Sequence, residues 1–140
     1  MKRCIVIADD DPIIVSLVSL RLGLARYNVV STNDAVAAVA MARVREPLAM
    51  ILDVQMPGGS GSLPGGLAAL ARIKADPDLR ALPVMMLTGE RNAETVMQAM
   101  NGGAADYMVK PFNPDTLLER VSRMIGKSVP VPAAADAWEI

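Results

Sequence analysis

Five short strand-like runs, the first, third and fourth continuously apolar and most of them stopping abruptly on a reactive polar side chain, constrain this chain more than any other feature. They cover residues 3–8, Tyr27 to Ser31, Leu48 to Leu52, Pro83 to Leu87 and Asp106 to Val109. The next residue is Asp9 after the first run, Asp53 after the third, Thr88 after the fourth and Lys110 after the fifth. Unbroken apolarity over so few residues, as in the first, third and fourth runs, suits a strand covered on both faces, where alternation would bury polar groups. Between the runs the period lengthens to that of a helix. Ile13, Leu17, Leu20 and Leu24 recur at helical spacing behind Pro12, a residue suited to a first helical turn. Asn33 or Asp34 can cap an Ala-rich helix that should stop before Pro47. Further helices are predicted over Leu67 to Ala75, ended by Asp76-Pro77, and over 91–101, stopped by Gly102-Gly103. The last is predicted from about Pro114 to Ile125, on Leu117, Leu118, Val121 and Ile125.

Five strand–helix units of this kind predict an α/β fold: a doubly wound, five-stranded parallel sheet in the order 2-1-3-4-5, with helices on both faces. One domain over 1–126 is expected, long enough to bury a real core. Residues 127–140 lack a helical period and read as a flexible tail, in which Trp138 is either a disordered aromatic or a docking anchor. Apolar residues make up 52% of the 140 but aromatics only 3%, so Ala, Val, Leu, Ile and Met must fill the core. No apolar run approaches the ~18 residues that a membrane span needs. The one cysteine, Cys4, excludes an internal disulfide, and a reducing cytoplasmic setting is expected. Acidic and basic residues balance through residue 126, so nothing argues for direct nucleic-acid binding. Histidine is absent, which excludes His-based triads and His-ligated zinc and leaves carboxylate chemistry open.

Ligands of open parallel sheets bind beyond the carboxyl ends of the strands. That edge would gather Asp9, Asp10 and Asp11, then Asp53, Thr88 and Lys110. With strands one and three adjacent, their carboxylates converge. Two carboxylates ~5 Å apart repel by roughly 3 kcal/mol at an effective dielectric near 20. Such a cluster is costly unless a cation occupies it, and oxygen ligands without His or Cys favour a hard ion, Mg²⁺ or Mn²⁺.

Four fragments stand at these strand ends: Ala8-Asp9-Asp10-Asp11-Pro12, Leu52-Asp53-Val54-Gln55-Met56-Pro57, Met86-Leu87-Thr88-Gly89 and Tyr107-Met108-Val109-Lys110-Pro111-Phe112. In this order they resemble the receiver domain of two-component response regulators, the CheY-like family with its flavodoxin-like sheet, over about residues 3–126. The resemblance implies that Asp53 is a phosphoacceptor, loaded from the phosphohistidine of a histidine kinase or histidine phosphotransfer protein. It implies Mg²⁺ held by Asp9, Asp10, Asp53 and the backbone carbonyl of Gln55, with Asp11 outside the ligand set. Thr88 and Lys110 would bind phosphoryl oxygens, Thr88 and Tyr107 would act as the switch, and Gln55 and Glu90 would tune phosphoryl lifetime. A cis peptide is implied at Lys110-Pro111. Such a domain accepts and loses its own phosphate rather than turning over a substrate, and it switches contacts with an unknown downstream protein, as a monomer or a phosphorylation-dependent dimer.

Two departures from the family stand out. The family places a glycine four residues past the proline of Met-Pro; here Gly66 matches it best, so about five extra residues lie around Gly61 to Gly65 and read as a flexible insertion. No DNA-binding segment is legible after the last helix, so output through protein contact is expected. Plainer readings stand beside these. The acidic triplet could serve as a helix cap, Lys110 as a solvated strand end, Thr88 as a turn residue and Tyr107 as a packed aromatic. The alternatives for the whole chain are a Mg²⁺-dependent phosphatase or phosphotransferase working through an aspartyl-phosphate, and a constitutive scaffold.

Overall fold

The computed structural model describes residues 3–128 apart from Arg91. Strands β1 (Cys4–Ala8), β2 (Asn28–Thr32), β3 (Ala49–Asp53), β4 (Val84–Thr88) and β5 (Asp106–Val109) alternate with helices α1 (Pro12–Leu24), α2 (Ala35–Arg45), α3 (Gly65–Ala75), α4 (Ala93–Asn101) and α5 (Pro114–Ser128). All pairings are parallel, and the sheet runs β2-β1-β3-β4-β5. This is the doubly wound sheet that the apolar runs predict.

Burial explains why those runs are unbroken. The three central strands, β1, β3 and β4, are buried along their whole length, whereas the edge strands β2 and β5 are only partly covered. One apolar layer joins Val6, Ala8, Met50, Leu52, Val84 and Met86 to α2 and α3. The other joins Ile5, Ile7, Ile51, Met85 and Leu87 to Val18 and Leu22 of α1 and Leu117, Val121 and Met124 of α5. Successive residues of each strand face opposite layers, so both parities must be apolar.

Helix ends follow local chemistry. Asp11 Oδ1 accepts from Ile13 N, Asp34 Oδ1 from Ala37 N and Asn92 Oδ1 from Thr95 N, each occupying an otherwise unpaired amide of a first turn. No helix among the described residues is long and apolar enough to cross a membrane.

Four expectations need correction. The periodic stripe that announces α1 is not the face α1 buries: Ile13, Leu20 and Leu24 are 75%, 66% and 71% exposed, and Leu17 is also exposed. Ile13 to Leu24 is apolar on nearly all sides, so periodicity gives the helix but not its orientation. The sheet decides that, taking Val18 and Leu22. Next, α3 starts at Gly65 rather than Leu67, with both glycines buried in its first turn. The glycine-rich stretch before it is a closed turn rather than a free insertion. Ser60 and Leu63 exchange backbone hydrogen bonds, Gly65 N donates to Met56 O, and Pro57 O accepts from Ala35 N at the start of α2. Last, α5 continues through Ser128 rather than ending near Ile125. The tail expected over 127–140, Trp138 included, otherwise lies outside the described residues.

Candidate functional site

Backbone bonds carry the ladder past the last strand residues and hold the loop tips in register. Asp9 N donates to Thr32 O, Val54 N to Leu87 O and Lys110 N to Thr88 O. Asp9, Asp53, Thr88 and Lys110 are thereby fixed at one edge of the sheet.

The acidic triplet divides its roles. Asp11 caps α1, as the plainer reading has it. Asp9 is buried, Asp10 is exposed, and one carboxylate oxygen of each lies within 4.8 Å of the other and of Asp53. Asp9 Oδ1 accepts from Asp11 N, and Asp53 Oδ1 accepts from Gln55 N. Lys110 precedes a cis Lys110–Pro111 bond, and its Nζ stands 2.8 Å from Asp9 Oδ2 and 3.5 Å from Asp53 Oδ1. Asp9 Oδ2 is buried, and this ion pair with the ammonium is the contact that offsets its charge. Three converging carboxylates, two of them buried, fit a hard divalent cation: the donors are all oxygen and one ammonium does not balance their charge.

Proton affinities reflect the crowding. Burial, then the charge of Asp9, push the Asp53 carboxyl up from 3.8 to about 6, although Lys110 and the Gln55 amide pull the other way. At Lys110 burial disfavours the ammonium, but its bond to Asp9 and the charges of Asp53 and Asp9 outweigh that and hold it above the usual lysine range.

Thr88 is buried, and its Oγ1 accepts from Glu90 N at 3.0 Å. The side chains of Gln55 and Glu90 meet above, with Gln55 Nε2 donating to Glu90 Oε1 at 3.3 Å. Two residues that the sequence does not single out complete this group. Asn92 Nδ2 and Thr95 Oγ1 both donate to Glu90 Oε2, at 2.9 and 3.4 Å. Nothing in their spacing marks them; only Asn92's place before an Ala-Glu-Thr helix start hints at a cap. Tyr107 sits on the edge strand β5, half-buried against the α2–α3 layer and apart from the charged cluster.

Gly66 shows why the departure in the loop leaves the site intact. A Cβ on Gly66 would stand 2.1 Å from Asp53 O, and one on Gly65 would stand 2.0 Å from Met56 O. The backbone of α3 rests directly on the loop that carries Asp53. Gly58, at the start of the extra turn, lies against Ala35 of α2, so the insertion leans toward α2.

A family model described as the response regulator receiver domain matches residues 5–122. The chain belongs to that family. Among curated relatives, a DNA-binding dual master transcriptional regulator of Synechocystis is 33% identical over 97% of this chain, which spans 54% of that protein. The phosphate regulon regulatory protein of Pseudomonas aeruginosa is 29% identical over 91% of the chain, which spans 54% of it. The receiver thus covers about half the length of the curated relatives it matches. Among solved structures, a response regulator from Chloroflexus aurantiacus aligns with a TM-score of 0.82 at 28% identity, over 90% of this chain and 99% of that one. The receiver domain of a Pseudomonas aeruginosa sensor histidine kinase, described with a magnesium ion in its active-site cleft, aligns with a TM-score of 0.79 at 25% identity, over 90% and 99%. A five-stranded receiver fold in the order 2-1-3-4-5 is what these neighbours share with this chain.

Proposed function

We propose that this receiver takes a phosphoryl group onto Asp53 from the phosphohistidine of a histidine kinase or phosphotransfer protein and changes its protein contacts as a result. The observation that carries the reading is the meeting of Asp9, Asp10 and Asp53 oxygens within 4.8 Å beside the Lys110 ammonium. Mg²⁺ bound by Asp9, Asp10, Asp53 and the Gln55 carbonyl would supply charge neutralisation for the three acids and the incoming phosphoryl oxygens. Mn²⁺ offers the same chemistry. The magnesium in the related histidine kinase receiver supports this assignment.

Each side chain then has one task. An Asp53 oxygen attacks phosphorus, the N–P bond of the donor breaks, and its electron pair returns to the imidazole. Lys110, held charged by its acidic neighbours, offsets negative charge on the phosphoryl oxygens. Thr88 turns its hydroxyl from the Glu90 amide toward the new oxygens. That movement opens space beside Tyr107 on β5, and the Tyr107 ring moves inward, reshaping the surface of α4, β5 and α5 for the downstream partner. Gln55 and Glu90, bonded to each other over the site, set how long the acyl phosphate persists.

Mass spectrometry after incubation with acetyl phosphate and Mg²⁺ tests the assignment. The wild type should gain one phosphate and Asp53→Asn none, while persistent labelling of that variant would place the nucleophile elsewhere. Neither protein should hydrolyse generic phosphate esters. Turnover of such esters would favour a phosphatase over a receiver, and absence of any label would favour a constitutive scaffold.

A further inference from the structure

Resting on the phosphoacceptor reading above, we infer that Asn92 is a positioning residue that sets the life of the acyl phosphate, by holding Glu90 against Gln55 over Asp53. Gln55 and Glu90 are exposed, whereas Asp53 and Thr88 beneath them are buried, so the Gln55–Glu90 hydrogen bond lies across the solvent side of the site. Before phosphorylation each end of this bar is tied to a group that would hold the phosphoryl: Gln55 N to Asp53 Oδ1 and Glu90 N to Thr88 Oγ1. Hydrolysis needs a water on the far side of phosphorus from the Asp53 oxygen. The water oxygen bonds phosphorus, the bond from phosphorus to the Asp53 oxygen breaks, and its electron pair returns to the carboxylate. The water's protons leave with inorganic phosphate and solvent. That water must enter where the bar lies.

An exposed hydrogen bond of 3.3 Å between two long side chains would not stay closed unaided, because rotamer entropy opposes it. Glu90 is not unaided. Its second oxygen takes Asn92 Nδ2 at 2.9 Å and Thr95 Oγ1 at 3.4 Å, and Thr95 is buried. Asn92 uses both ends of its amide: the nitrogen holds Glu90 while the oxygen caps α4 through Thr95 N at 2.8 Å. The closed bar and the start of α4 are therefore one hydrogen-bonded unit.

The two duties of Asn92 separate in one substitution. Aspartate caps a helix about as well as asparagine, but it cannot donate to Glu90. Asn92→Asp should keep the wild-type melting temperature yet lose [³²P]phosphate from Asp53 roughly fivefold faster, the scale of one hydrogen bond. Glu90→Ala should speed the loss to a similar degree, and the double variant should be no faster than Glu90→Ala alone. Asn92→Ala, which loses both duties, should decay fast and also melt earlier. Equal decay of Asn92→Asp and wild type, or additive effects in the double variant, would overturn the inference and leave the phosphoacceptor reading standing. Failure of the wild type to take label from acetyl phosphate would overturn both.

Discussion

Asp53 carries a cost that its neighbours do not remove. Its carboxyl is pushed up to about 6, so between pH 4 and 6 the folded chain binds a proton more readily than the unfolded chain does. Stability is therefore greatest below about pH 4 as far as this group is concerned, and is lost as pH rises through 6. Asp53→Asn removes the charge while keeping the shape. Without divalent cations, this variant should melt above wild type at pH 7, with the gap closing toward pH 4.5, as read by thermal denaturation. A gap independent of pH would show that the carboxylate is not strained. Gly66 makes a steric prediction at the same scale. Its missing side chain lets α3 rest 2.1 Å, by an added Cβ, from the Asp53 carbonyl. Backbone cannot yield there as a flexible side chain would, so Gly66→Ala should cost on the order of 2–3 kcal/mol in urea unfolding.

Helix α1 sets the stakes at the scale of elements. It presents leucines on two faces, and burial separates them: Leu22 is fully buried in the apolar layer it shares with Ile5, Ile7 and Ile51, while Leu20 stands 66% exposed. Leu22→Ala should lose about 2–5 kcal/mol through lost contact and a residual cavity, and Leu20→Ala only about 0.5 kcal/mol or less. Gly23 interrupts the same helix with open space around the position of its missing Cβ. Gly23→Ala should therefore stabilise the protein by about 0.5–1 kcal/mol, measured by the same unfolding. Equal costs at Leu20 and Leu22 would mean that the helix does not turn Leu22 inward and Leu20 outward. The other elements show how far local patterning reaches. Strand ends were legible to within a residue because an apolar run stops where the sheet edge meets water. The start of α3 was not, since Gly65 and Gly66 look like loop in sequence and become helix only by packing on the backbone of residues 53 to 56.

At the scale of the whole molecule, the fold concentrates charge at one edge. Asp9, Asp10 and Asp53 come from loop tips separated by more than forty positions in the chain and meet only because β1 and β3 are neighbours. Binding there stabilises the native state alone, since the unfolded chain has no such cluster. Millimolar Mg²⁺ should therefore raise the melting temperature of the wild type, and Asp10→Asn should lose most of that gain. Lys110→Ala should keep it. Retention of the full gain in Asp10→Asn would place the cation elsewhere.

The sequence alone determined the number and type of elements, the parallel sheet and the candidate residues at its edge, because each follows from short-range signals: an apolar run, a period, a cap, a break. Asp9, Asp10, Asp53, Thr88 and Lys110 were legible for that reason, each marked by its place at the end of a run. Tertiary structure alone decided which face of α1 is buried, how the glycine turn closes onto α2, and that Asn92 and Thr95 hold Glu90. Those choices rest on contacts between segments. A helix apolar on every side has no orientation until a sheet offers it a surface, and a cap's second hydrogen bond has no partner until two loops meet.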